Sequence, residues 1–325
     1  MAGMAPSMRH TGAEPLGEWQ ARARAKLAEL VGLSRFTPCA EDLDIEFTAR
    51  HEAFTETRFT IQTEAGYRVP CHLCVPAGAT KPLPVVICLQ GHSRGMHKSM
   101  GRVLSADDPF TGGDRDFAVR AVKEGYCALA LEQRCFGECG GDVKTREPRC
   151  HDATMAALLI GRTAIAERVW DVQRAIDALR HFPMADLRRI VCMGNSGGGT
   201  TTLYAACLEP RIAFAMPSCF FCTYEDSHGA VSGHCVCNFI PHVREFFEMG
   251  DVAGLIAPRP LVIVAGMEDP IFPLFAVRKA FETTQAYYAA AGAPDNIALV
   301  IGTEGHRFYA DLAWPVMNRY VATSP

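Results

Sequence analysis

The sequence predicts an α/β fold built on a mostly parallel sheet with helices on both faces, and three observations carry that expectation. Short apolar runs alternate with helix-length segments from residue 84 onward, the signature of βαβ units. The chain is 49% apolar and 21% charged over 325 residues, enough to bury a large core. Three runs ahead of residue 84 have strand character without intervening helices, which adds antiparallel strands at one edge of the sheet.

In chain order, Trp19, Ala23, Leu27, Leu30 and Val31 recur at helical spacing, so 1–35 is expected as an N-terminal helical appendage to a single domain over 36–325. Strands are expected at 44–48, 58–63 and 67–75, then at 85–90, 127–131, 190–193, 212–216, 261–264 and 297–301. Helices are expected near 115–124, over 161–181, after Ser196 and over 308–321. Two stretches break the alternation. Residues 134–156 are rich in Gly, Cys and charge. Residues 218–256 carry Phe220, Phe221, Tyr224, Phe239, Phe246 and Phe247 and are expected as a lid-like insertion after the sixth strand. Connections leaving the carboxyl ends of strands build substrate walls in open α/β sheets.

Composition also excludes functions. With 32 Lys plus Arg against 36 Asp plus Glu the net charge is -4, which gives no basic field for nucleic acid. No apolar run approaches the ~18 residues that span a bilayer, and residues 1–18 lack a signal-peptide core. Fourteen cysteines, most of them inside apolar runs, such as Cys88, Cys127, Cys192 and Cys207, fit reduced thiols in the cytoplasm.

Strand 190–193 runs into Gly194-Asn195-Ser196-Gly197-Gly198-Gly199 and then a helix. A strand, G-x-S-x-G, helix arrangement needs glycines because the serine sits on a sharp, strained turn that larger neighbours would block. A phosphate loop would need Lys ahead of its Ser or Thr, and none is present. The acid and base that such a serine requires should follow in the order Ser, Asp or Glu, His. Asp269 follows strand 261–264, with Glu268 beside it as fallback, and His306 follows strand 297–301. Three groups at three strand ends define a candidate Ser196, Asp269, His306 triad. The oxyanion donors are placed at the amides of Gly197 and His92. The His92 imidazole is either a substrate contact or a loop residue. Gln90 closes the strand ahead of His92, and Arg134 either anchors its loop or touches a polar substrate.

On residues 89–95, 132–137, 150–151, 161–162, 169–171, 194–198, 234–238, 256–260, 269–273 and 305–309 the sequence resembles α/β hydrolases of the acetyl-xylan-esterase-like branch related to dienelactone hydrolases. The resemblance implies an α/β-hydrolase fold, a Ser, Asp, His triad and hydrolysis of small-molecule carboxylic esters, often acetyl groups on sugars. Gln90 and Glu132 depart from His and Asp, the commoner residues there, and bear on substrate preference. A peptidase of the prolyl-oligopeptidase type and a non-catalytic binding protein are the alternatives. Cys219, Cys222, His228, His234, Cys235 and Cys237 lie close in sequence, but their C-x-x-C and H-C-x-C spacing matches no standard zinc module. No metal and no cofactor are expected, and a homo-oligomer is left open.

Overall fold

The computed structural model describes residues 3–104, 106 and 114–323; the outermost positions of the two expected segments, 1–2 and 324–325, fall outside that range. Three strands, β1 (Asp44–Arg50), β2 (Phe54–Glu64) and β3 (Tyr67–Pro76), form an antiparallel meander. The parallel part comprises β4 (Leu83–Leu89), β5 (Cys127–Leu131), β6 (Ala185–Asn195), β7 (Ile212–Ser218), β8 (Leu261–Gly266) and β9 (Ile297–Gly302). They join in one nine-stranded sheet of order β1-β2-β3-β5-β4-β6-β7-β8-β9. β3 meets β5 antiparallel, and every pair from β5 to β9 is parallel.

Side-chain alternation divides the core between two faces. Val85, Ile87, Leu89, Ile190 and Cys192 face one layer, while Val86, Cys88, Val191 and Met193 face the other. The first layer holds α1 (Leu16–Val31), α4 (Ala164–Ala178), α5 (Gly197–Leu208), α7 (Met249–Gly254) and α8 (Leu274–Ala290). The second holds α2 (Phe117–Lys123) and α9 (Ala310–Thr323). The two short remaining helices are α3 (Cys150–Leu159) and α6 (Val243–Phe246). Strands buried on both faces must be apolar along their whole length, and β5 and β8 are buried at every residue. Helix α4 starts where it does because the Thr163 hydroxyl caps the Ala166 amide at 3.1 Å.

Four expectations change. Segment 1–35 is not an appendage: Trp19, Ala23, Leu27 and Val31 are fully buried in the first layer, and Arg24 donates to the carbonyls of Cys207 and Leu255. Residues 150–156 of the first irregular stretch belong to helix α3. A helix over 274–290, unassigned from the sequence, buries Ala276, Val277, Ala280, Thr284, Tyr287 and Tyr288 at helical spacing. The 218–256 insertion follows the seventh strand in chain order, because all three antiparallel strands belong to the one sheet. Both its ends are core: Phe220, Phe221, Phe247, Val252 and Leu255 are buried in the first layer.

Candidate active site

Strand β6 and helix α5 meet at Ser196, whose φ of 57° and ψ of -121° lie outside the regions that L-residues favour. The turn is this tight because backbone packs on backbone around it. A Cβ on Gly198 would stand 2.0 Å from the Leu89 carbonyl oxygen, and one on Gly194 would stand 2.6 Å from both that oxygen and Gly198. Gly91 is equally constrained, 2.6 Å from the Asn195 oxygen and 3.0 Å from the Ser196 Cβ. Ser196 donates its amide to the Ser218 carbonyl at 2.8 Å and accepts from Thr200 at the same distance. Such a strained residue costs about 1–3 kcal/mol and persists only where its surroundings over-determine it.

Asp269 and His306 are brought together by the ends of β8 and β9. Met267 donates to Gly302 at 2.8 Å and Glu268 to Glu304 at 3.0 Å. The approach is close enough that a Cβ on Gly266 would meet the Gly305 oxygen at 2.0 Å. His306 Nδ1 lies 2.7 Å from Asp269 Oδ2. The other oxygen, Oδ1, accepts from the amides of Ile271 (2.9 Å) and Phe272 (3.2 Å). With Asp269 buried and both its oxygens engaged, the imidazole is held in one orientation. Phe272 stacks on its ring at 5.8 Å between centroids. Glu268, the fallback acid, has its neighbour Asp269 in this place instead.

Ser196 and His306 line one cavity of about 350 Å³, with His92, Arg115, His234, Cys235, Asn238 and Phe272 among its other walls. The Gly197 amide opens helix α5 beside Ser196, where the dipole favours negative charge. Neither it nor the His92 amide donates to a protein acceptor among the described residues. The His92 ring packs against Gly197, 3.0 Å from where a Cβ would be, and its Nε2 lies 3.3 Å from the Cys237 sulfur. Burial would lower the His92 pKa, but hydrogen bonds with Cys235 and Cys237 push it up to about 9. Cys219 lies in the same region, and burial first and then the Asp269 charge raise its thiol to about 12.

Gln90 is a brace rather than a wall. Its Nε2 donates to Ser99 Oγ and to the Arg115 carbonyl, both at 2.7 Å, and its own carbonyl accepts from Gln133. Gln133 in turn accepts from Thr201 of α5 at 2.6 Å, so the β4 loop and the serine helix are tied together. Arg134 likewise stands apart from the cavity walls. Its guanidinium forms a two-pronged pair with Asp171 (2.8 Å each), a bridge to Glu64 at 2.7 Å and a stack on Tyr67 at 4.3 Å. Paired with two carboxylates and outside the walls of the cavity that Ser196 lines, Arg134 fits the anchoring alternative.

Sequence reasoning missed Arg115, His234, Asn238 and Phe272. Arg115 sits at the start of an expected helix and carried no signal of its own. His234, Asn238 and Phe272 were read only as part of a resemblance or a cysteine cluster. Arg115 has its pKa lowered by burial, and no carboxylate among the described residues pairs with it. It presents a cation to the cavity.

A serine on a strand-to-helix turn, sharing a cavity with a histidine that pairs with an acid at a later strand end, is the arrangement of an α/β hydrolase. The chain belongs to the Abhydrolase family, whose profile matches residues 5–303. It is 24% identical over 294 residues to YtaP of Bacillus subtilis (strain 168), provisionally named a hydrolase, covering 88% of this chain and 94% of the relative. It is 26% identical over 175 residues to 4-O-methyl-glucuronoyl methylesterase 1 of Wolfiporia cocos (strain MD-104), covering 46% of this chain and 43% of that one. The fold superposes on a provisional acetyl xylan esterase of Bacteroides fragilis NCTC 9343 with a TM-score of 0.78 at 16% identity, over 96% of this chain and 81% of the other. A glucuronoyl esterase from Solibacter usitatus gives 0.69 at 15% identity, over 99% and 97%.

Proposed function

We propose that the protein is a serine carboxylic-ester hydrolase that works through an acyl-enzyme on short-chain, acetyl-type esters of polar alcohols, carbohydrates among them. The observation that carries the proposal is the 2.7 Å contact of His306 Nδ1 with a buried Asp269, in the cavity that also exposes the strained Ser196. That bond fixes the tautomer that leaves Nε2 free to take the serine proton. The names of the esterase relatives support an ester substrate.

In this mechanism His306 removes the Ser196 proton as Oγ attacks the ester carbonyl, and Asp269 stabilises the imidazolium. The Gly197 and His92 amides receive the oxyanion, each worth about 3–4 kcal/mol of transition-state stabilisation. His306 then passes the proton to the leaving alcohol, and activates the water that releases the acid. Arg115 supplies a cation for a polar or acidic part of the substrate.

The test compares Ser196→Ala with the parent on p-nitrophenyl acetate and on acetylated sugars. Turnover is expected to fall by on the order of 10⁴-fold or more with circular dichroism unchanged, and undiminished turnover would end the proposal. An aminoacyl amide, run alongside, is expected to be cut far more slowly than the esters; the reverse order would favour a peptidase.

A further inference from the structure

The cysteines that the sequence grouped around 219–237 do not stay together. Cys219 donates to the Arg307 carbonyl at 3.1 Å, Cys222 is buried in the first core layer, and His228 stacks on His234 at 4.4 Å. Cys235 and Cys237 leave that group and meet two residues from other segments: His92 of the loop after β4 and Cys150 at the first turn of α3. One ligating atom from each of these four residues lies within 4.8 Å of all the others. Three thiols and one imidazole are the donor set of a closed, tetrahedral structural zinc site. At zinc–sulfur distances of about 2.3 Å the donors would stand roughly 3.7 Å apart, so closing the shell asks for side-chain shifts of about an ångström.

A second observation is independent of the donors. Arg168 of α4 is fully buried, and its N–H groups go to the Arg134 carbonyl (3.1 and 3.2 Å), to Cys237 Sγ (3.4 Å) and to Cys150 Sγ (3.6 Å). Its plane lies 4.4 Å over the Phe136 ring. None of these partners is a carboxylate, and a guanidinium taken wholly out of water needs a negative partner. A dication with three thiolates and a neutral imidazole carries one net negative charge, which this cation offsets, and N–H donors to coordinated sulfur are what a second layer around such a site provides. Soft sulfur donors in tetrahedral array select Zn²⁺ over the oxygen-seeking cations.

We propose that His92, Cys150, Cys235 and Cys237 bind one structural Zn²⁺ per chain, an assignment that does not depend on the ester reading. Binding displaces the thiol protons to solvent and leaves the metal with four protein ligands and no open position, so it takes no part in bond cleavage. Its consequence is mechanical. It staples the middle of the 218–256 insertion, which has only short helical turns there, to the start of α3 and to the loop whose His92 lines the cavity with Ser196.

The experiment measures metal in the full chain, purified under reducing conditions without a metal-affinity step, by plasma mass spectrometry. About one Zn²⁺ per chain is expected, either as purified or after one equivalent of Zn²⁺ is added and the excess removed. Replacement by Co²⁺ is expected to give the intense visible bands of a tetrahedral cobalt thiolate, a readout that needs no variant. Cys237→Ser should lose at least nine-tenths of the bound metal, whereas Cys222→Ser, a buried thiol outside the four, should retain it. Failure to take up Zn²⁺ or Co²⁺ with all fourteen thiols titrating as free would overturn the proposal. So would a disulfide within the cluster, or metal retained in full by Cys237→Ser.

Discussion

Ser196 holds a backbone conformation that costs energy, at the point where β6 ends and the first amide of α5 begins. In the proposed triad the acid works through orientation: Asp269 meets His306 Nδ1 with one oxygen and accepts from two backbone amides on the other. Asp269→Asn preserves the shape but presents an N–H or a weaker acceptor to Nδ1. Turnover is expected to drop by about 10⁴-fold while substrate affinity changes little, as kcat and KM measured separately will show. Glu132 makes a different prediction. Burial raises its carboxyl to about 7 even though the amides of Met96 and Glu138 favour the charged form. Between about 4.5 and 7 the folded chain therefore holds a proton that the unfolded chain releases, and stability falls as pH rises across that window. In Glu132→Gln this slope, on the order of 3 kcal/mol in total, should vanish from urea melts run at successive pH values. The order serine, acid, histidine was read from the sequence, and the structure pairs Asp269 with His306 and sets His306 on one cavity with Ser196. Arg115 and Phe272 were not legible there, because a cation or a ring acquires a role here only from what the fold sets opposite it.

Among the elements, the β6–α5 turn is the most constrained, since its glycines are required by contact and not by flexibility. A methyl group on Gly198 would lie 2.0 Å from the Leu89 oxygen, and that oxygen belongs to backbone that cannot rotate away. Gly198→Ala should push α5 off β4, lowering stability by about 3 kcal/mol or more and abolishing esterase turnover; a thermal melt superimposable on the parent's would refute the contact. The parallel strands, of which β5 and β8 are buried at every residue, were readable because each carries a short apolar run. Helix α8 was not, because its buried stripe is made of Ala276, Val277, Ala280, Thr284, Tyr287 and Tyr288, small and mixed residues that dilute the apolar period. Helix α3 was hidden for a related reason: only Cys150, Thr154 and Ala157 of it are buried. Arg134 shows the limit of strand-end reasoning. Its position suited a substrate contact as well as an anchor, and only the placement of Asp171, Glu64 and Tyr67 around it separates the two.

At the scale of the whole molecule, one sheet has to bring residues 92, 196, 269 and 306 to the same rim. The strand order that does this sets β4, β6, β7, β8 and β9 side by side and parallel, so that all of their carboxyl ends point the same way. The parallel sheet was implied by alternation alone, whereas its strand order and the docking of α1 into the first layer were not: alternation leaves the order open, and an amphipathic helix ahead of a domain reads the same whether it is packed or free. This convergence is expected to activate Ser196. Its most direct measurement is labelling of the folded protein with a fluorophosphonate, followed by peptide mass spectrometry. A single adduct on Ser196, lost in His306→Ala and in heat-denatured protein, is the predicted result. An unlabelled Ser196, or equal labelling in His306→Ala, would contradict it.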